Sequence, residues 1–345
     1  LRGFRAKPSK NVFLPKTALR ERIGDAIAKE HGCTSIDRGR RRQAEDLNGE
    51  TADRRRVGDV LIGVTTVFWG ASYFLNDVVL AELRPFTLTA VRFILSFALT
   101  FIVLFPKMRR PSRATLKYSA LLAGLLVFIY VAASYGLMNT SVSNAGFLGG
   151  LAVIITPTIS IVLLKKKPER RLMICAAICV VGIALLTLSD ELTINPGDVL
   201  CLSVSFGNSV HLLLTERAVR DREVNALQVG VCQQGFLGAF AFIIAVLLER
   251  PERGLIDLPS SANVWIALIL LTVFCSAAAF VFQSVAQQWT SAVRAGVIFA
   301  MEPVVAGACA HIFANERLLP RNYLGGALMV ASLLFSEIDF GKIRR

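Results

Sequence analysis

Three histidines in 345 residues leave little material for catalysis. His31, His211 and His311 stand far apart. No HExxH or GxSxG occurs, so neither a zincin nor a nucleophile-elbow hydrolase is written here. An enzyme inside a membrane would still need a nucleophile with a partner, or a set of metal ligands, at bilayer depth. No Gly-x-x-x-x-Gly-Lys-Ser/Thr loop is present, so the chain does not draw on ATP by itself. The seven cysteines lack a pair of CxxC motifs, so no zinc spacing exists, and six of them lie inside apolar runs as small buried residues. No cofactor or metal is called for. Charge is also scarce, at 18% of residues, and unevenly spread.

What the chain has is apolar length. Hydrophobic residues make up 54% and the mean hydropathy is +0.56, which excludes both an ordinary soluble domain and a disordered chain. Residues 1–58 carry 15 Lys/Arg and 8 Asp/Glu and no membrane-length apolar run. They read as a basic, disordered cytoplasmic tail. They contain neither the order of a signal peptide nor the acid-poor composition of a transit peptide. A spanning helix needs about 20 apolar residues. From Gly58 onward the pattern predicts ten, at roughly 59–80, 85–106, 116–136, 141–164, 171–189, 197–215, 225–248, 263–286, 291–313 and 321–340. With the N-terminus cytoplasmic, the loops on the inner side hold 17 basic residues and those on the outer side 5. That bias orients both termini to the cytoplasm. The net charge of +13 therefore sits beside membrane spans and does not point to nucleic acid.

The chain also repeats itself. Gly58-Asp59-Val60-Leu61 returns as Gly197-Asp198-Val199-Leu200, 139 positions later. Thr140-Ser141 returns as Thr290-Ser291, 150 positions later. Five spans per copy is an odd number, so the second copy enters the membrane upside down. The reading is an all-α polytopic membrane protein of ten helices in two inverted five-helix repeats, 59–189 and 197–340. Such repeats place a substrate path at their interface. Thr156-Pro157 and Glu302-Pro303 stand at matching places in the two copies. Proline inside a helix frees a carbonyl that lipid cannot satisfy, so Pro157 and Pro303 are expected to break helices against protein or a wet cavity.

Ionisable groups at bilayer depth mark candidate sites. At 1.5 Å per residue, Arg92 lies roughly 10 Å below the outer end of its span and Glu302 roughly 15 Å above the inner end of its own. Glu302 reads as a substrate or proton site, or else as a structural acid supporting the break. Arg92 reads as a substrate contact or a helix-packing ion pair. His211 reads as a proton relay or a satisfied interior histidine. Asn208 and Gln283 are the amides chosen for the cavity, although amides across helices also serve as packing glue. Trp69 and Tyr73 sit too deep for the interfacial aromatic belt; they either pack or line a site for a partly apolar substrate.

Several motifs resemble one family in order. They are F-W-G-A-S-Y in the first span, R-P-F-T-L-T-A-V-R-F entering the second and T-S-V-S-N-A-G-F-L before the fourth. The second copy has T-S-A-V-R-A-G, M-E-P-V-V, N-E-R-L and Y-L-G-G-A-L-M-V-A-S. From about Gly58 to Phe340 the chain resembles the drug/metabolite transporter superfamily, specifically EamA-type ten-helix transporters. The resemblance implies inverted five-helix repeats, a central cavity and peripheral fifth and tenth helices. The matching positions are Trp69, Gly70, Arg92, Pro157, Glu302 with Pro303, and Glu316. The first copy departs from the pattern at Thr156, where an acid is absent, and at Lys165-Lys166-Lys167. The expected function is a secondary transporter, an exporter, of a small metabolite such as an amino acid or related compound. The expected setting is the bacterial cytoplasmic (inner) membrane. Protons are a candidate coupling ion, and the protein would be a monomer or a homodimer. A receptor or signalling subunit without transport is the alternative, and an intramembrane enzyme a more distant one.

Overall fold

The computed structural model describes residues 35–139, 148–163, 165, 169–187, 196–249, 258–313 and 319–337. Residues 140–147, which carry the first Thr-Ser motif, lie outside the described residues, as do Lys166, Lys167, Glu316 and residues 1–34. The chain divides into two units, Leu1–Asp53 and Arg54–Arg345.

The described elements are helical. They are α1 (Ser35–Leu80), α2 (Pro85–Val103), α3 (Arg113–Asn139), α4 (Ala152–Leu163), α5 (Arg170–Thr187) and α6 (Pro196–Val219). These are followed by α7 (Ala226–Ile244), α8 (Ala262–Leu270), α9 (Ala279–Ala286), α10 (Ala292–Phe299), α11 (Glu302–Phe313) and α12 (Pro320–Glu337). Among the described residues, seven helical stretches are long and apolar enough to cross a membrane; α4 with the turn before it is a shorter apolar helix. The protein is an integral membrane protein. Helix α1 begins at Ser35, inside the segment that the sequence marks as a disordered tail.

Two π-helical stretches interrupt the regular winding: Ala245–Glu249 extends α7, and Leu271–Ala278 joins α8 to α9. Two carboxylates cap helices at one end of the bundle. Glu249 accepts hydrogen bonds from the N–H groups of Phe86 (2.6 Å) and Thr87 (2.8 Å) at the start of α2. Glu82 accepts from Ser260 N–H (2.7 Å) and Ser261 N–H (3.3 Å) at the start of α8. Exposed N–H groups at a helix start favour anionic partners.

Helix pairing crosses from one half of the chain to the other. α2 packs on α7, α3 on α6, α4 on α10 and α5 on α12. α1 and the turn after it meet α8 and the π-helical stretch through Val79, Leu83, Leu268, Leu271 and Cys275. Small residues bring backbones together where these pairs cross. A Cβ on Gly238 would lie 2.8 Å from Ile94 N, and one on Gly325 would lie 2.5 Å from Gly182 O. Seven positions away from each partner of that second contact, Ser332 Oγ donates to Cys175 O at 2.8 Å.

The two prolines do different jobs. α10 ends at Phe299, the chain turns through Ala300 and Met301, and Pro303 occupies the second position of α11. Proline suits that place because the first N–H groups of a helix have no intrahelical partner. In the first half, α4 runs on through Pro157, and the irregular turn falls earlier, at Leu151. Hydroxyls accompany the proline: Thr156 Oγ1 bonds Ala152 O (2.7 Å) and Ser160 Oγ bonds Pro157 O (2.7 Å). The expected pair of matched breaks is therefore one helix break and one proline-containing helix.

Candidate functional site

Glu302 opens α11 at the break and is half-buried. Its carboxylate has no hydrogen bond or ion pair among the described residues. α1 crosses the break at Gly70, where a Cβ would come within 2.9 Å of Glu302 O and 2.5 Å of Val305 Cβ. Only glycine allows that approach, which brings α1 against the start of α11 with Trp69 and Tyr73 on either side of the crossing. Tyr73 and Tyr130 both lie within electrostatic reach of Glu302, and Tyr130 also within that of Arg92.

The aromatic side chains form a connected series. Tyr130 meets Phe93 edge-on (5.6 Å between centroids), Phe93 meets Phe280 (5.3 Å), and Phe280 meets Trp69 (5.7 Å). Trp69 stacks on Phe299, the last residue before the break, at 4.9 Å. The wall thus runs from α3 through α2, α9 and α1 to the break itself.

Exposure distinguishes the lipid side from this opening. Val57, Val60 and Val67 form an exposed apolar stripe on α1. Tyr73 is 58% exposed but lies about 140° around the helix from that stripe at roughly 100° per residue. Asp77 is exposed one turn further along the Tyr73 face. On α6 the exposed stripe is Val199, Leu202 and Phe206, and exposed Asn208 lies about 150° away from it. Tyr73, Asp77 and Asn208 are therefore exposed on helix faces away from these apolar stripes.

Arg92, by contrast, is enclosed at 3% exposure. Its Nε donates to Ser276 Oγ, one terminal nitrogen to Cys275 O (3.1 Å) and the other to Asn76 Oδ1 (3.4 Å). Trp69 Nε1 donates to the same Cys275 carbonyl at 3.0 Å. Cys275 lies in the π-helical stretch, a winding that recurs at functional sites. Arg92 and Trp69 thereby tie α1 and α2 to the second half of the chain.

His211 and Gln283 face packed helices. His211 is 4% exposed and sits 3.4 Å from Gln233 Oε1, while Gln233 Nε2 donates to Ser284 Oγ at 3.2 Å. Gln283 is 1% exposed and its Oε1 has no partner among the described residues.

The sequence reading passed over the end of the bundle where α1, α6, α10 and α12 meet. Arg294 Nε and Asp59 Oδ2 form an ion pair at 2.9 Å, with both side chains at least nine-tenths buried. Thr290 Oγ1 donates to Asp59 (2.9 Å) and Arg294 donates to Ser336 O (3.2 Å). Glu216 accepts from Ala292 N–H (2.6 Å) and pairs with Arg220 (3.0 Å). Every residue from Ala292 to Ile298 is buried. Arg294, one of the basic residues counted from sequence on the inner side, is enclosed in an ion pair. The signal was available in Asp59, an acid at the mouth of a span. Tyr130 was equally legible, as a tyrosine midway along the third span.

A small cleft of about 460 Å³ lies nearby, lined by Arg222, Asn225, Val285, Gln288 and Trp289 among others. It does not touch the Glu302 site.

Comparison with known proteins agrees with this architecture. A crystal structure superimposes with a TM-score of 0.67 at 18% identity, covering 81% of this chain and 96% of the other; the likeness concerns the fold alone. An uncharacterized transporter of Archaeoglobus fulgidus is 24% identical over 301 residues, which span 84% of this chain and 89% of that protein. The model of the EamA-like transporter family matches twice, over residues 56–188 and 195–337. With nearly all of the membrane unit matched in two consecutive copies, the chain belongs to the EamA-like transporter family.

Proposed function

We propose that this membrane transporter works as a secondary transporter by alternating access, exporting a small metabolite across the bacterial cytoplasmic membrane with both termini in the cytoplasm. The observation that carries the reading is the contrast along one path. Glu302, with no partner among the described residues, stands at a helix break that α1 crosses at Gly70, and the buried Asp59–Arg294 pair ties helices together at one end. A carrier needs a site open to one side and sealed from the other, with the seal made of contacts that can part.

Ten spans in two inverted repeats account for the helix pairing. If the two copies are related by a two-fold axis in the membrane plane, α2–α7, α4–α10 and α5–α12 each map onto themselves, and α1–α8 maps onto α3–α6. With an offset of 150 residues, the Gly182–Gly325 contact maps onto the Cys175–Ser332 contact. The repeats are read as 59–189 and 197–340, with α5 and α12 peripheral. By the charge bias, the sealed end is cytoplasmic and the Tyr73 side is outer. Glu302 is proposed as the coupling acid for protons, and Arg92 as the residue that holds the wall.

Labelling tests the reading without knowledge of the substrate. In the Tyr73→Cys variant, a membrane-impermeant maleimide added outside should react. In the Thr290→Cys variant, reagent added inside should react little until Asp59→Asn is introduced, which should also slow labelling of Tyr73→Cys from outside. Simultaneous fast labelling at both positions without Asp59→Asn would indicate a channel and overturn alternating access.

A further inference from the structure

We propose that the transported compound is an organic cation whose ammonium group pairs with Glu302 and whose apolar body lies against Tyr73 and the Trp69–Phe299 pair. The inference rests on the transporter reading and names the substrate class of its site. Four observations lead to it.

First, the carboxylate has no partner among the described residues at bilayer depth. Ionising a carboxyl there without a partner costs several kcal/mol, so a cation that arrives to pair with it is favoured. Second, the charged groups nearby do not compensate it. Tyr73 from α1 and Tyr130 from α3 lie within electrostatic reach of Glu302, and Tyr130 also within that of Arg92 of α2. The guanidinium of Arg92 is committed to Ser276, Cys275 and Asn76 and is 3% exposed. It can neither move to Glu302 nor receive a carboxylate from a substrate without breaking those bonds.

Third, the surfaces beside the acid are aromatic. Tyr73 lies within electrostatic reach of it, and Trp69, next to Gly70, stacks on Phe299, three positions before Glu302; a cation over an aromatic face is attracted by the ring quadrupole. Fourth, the open face of α1 carries a second acid. Asp77 is exposed one turn beyond Tyr73, so negative potential continues from the site toward the opening. An anion would meet two like charges on this route, and a zwitterion would place its own carboxylate beside Glu302. Such like-charge contacts are the repulsive element that gives specificity.

Three probes with one body and three charges test the proposal: 2-phenylethylamine (cation), phenylalanine (zwitterion) and 3-phenylpropionate (anion). Binding is measured by calorimetry on the purified full chain in nanodiscs. The amine is expected to bind at least about tenfold more tightly than either of the others. Glu302→Gln should remove that preference, weakening the amine about tenfold or more and leaving phenylpropionate unweakened, while Glu302→Asp should keep part of it. Equal or tighter binding of phenylalanine or phenylpropionate overturns the inference, as does failure of all three to bind. An unchanged amine affinity in folded Glu302→Gln also overturns it. If Glu302→Gln does not fold, the ranking on the unaltered protein decides.

Counterflow of radiolabelled amine in proteoliposomes separates this inference from the transporter reading. Binding without movement removes transport and leaves the cation site. Preferred movement of the zwitterion or anion removes the cation site and leaves transport.

Discussion

Asp59 and Glu302 are both carboxylates in apolar helices, and they are treated in opposite ways. Asp59 is enclosed, paired to Arg294 at 2.9 Å and bonded by Thr290. Glu302 is half-buried, within electrostatic reach of Tyr73 and without a partner among the described residues. One carboxylate holds two helices together; the other is left for a visitor. The difference teaches that depth in a span does not by itself identify a site. A buried acid with its cation present is structure, and an acid with its cation missing is a binding group.

The comparison can be broken by neutralising each acid in turn. Asp59→Asn should destabilise the protein by about 3–5 kcal/mol, because it leaves Arg294 buried without its counter-charge. Adding Arg294→Gln should restore most of that loss. Glu302→Gln should leave stability unchanged or raise it, since no pair is lost. Thermal unfolding of the four proteins in one detergent checks the set; equal loss in Asp59→Asn and Glu302→Gln would erase the distinction.

The second prediction concerns how α1 reaches the break. Gly70→Val places a side chain where a Cβ alone comes within 2.5 Å of Val305. Overpacking of this kind costs roughly 1–3 kcal/mol. It should also move Trp69 and Tyr73 away from Glu302, so substrate affinity should fall together with stability in parallel calorimetry and unfolding measurements. A smaller effect is expected for Trp69→Phe, which keeps a ring on Phe299 but loses the hydrogen bond to Cys275 O. That loss is about 1 kcal/mol in unfolding.

The smallest effect lies outside the membrane at Glu82, whose carboxyl is held down to about 2 by hydrogen bonds from Ser261 and Ser260. A depressed carboxyl stabilises the fold above its ordinary value of 4.5, and the contribution is lost as pH falls from there toward about 2. Glu82 is fully exposed, so solvent screening keeps the effect slight. Glu82→Gln should flatten the stability profile only in that window, as read by unfolding between pH 4.5 and about 2.

Much of the fold was legible because lipid imposes a simple rule. Apolar runs of span length must be helices, and the repeated Gly-Asp-Val-Leu and Thr-Ser signatures marked two copies that the family match also finds. Glu302, Trp69 and Tyr73 stood out because each is out of place at its depth, and Gly70 brings them together. Arg92 stood out for the same reason and is occupied by packing instead. Pro157 looked equivalent to Pro303, yet a proline can either start a helix or ride inside one. The outcome depends on which neighbours take the freed carbonyl, and sequence spacing does not show those neighbours. The Asp59–Arg294 pair was hidden because its members stand 235 positions apart. Each looked like an ordinary charge at a span end.

The central claim is that Glu302 is the group the transported compound and its driving ion engage. The direct measurement is pH-gradient-driven flux of 2-phenylethylamine into proteoliposomes for the unaltered protein and Glu302→Gln, with equal amounts of folded protein. Loss of a charged partner is worth about 2–5 kcal/mol, so gradient-driven flux above that of protein-free liposomes, which pass the uncharged amine, should fall roughly 30-fold or more. Flux with its gradient dependence intact in Glu302→Gln would contradict the account.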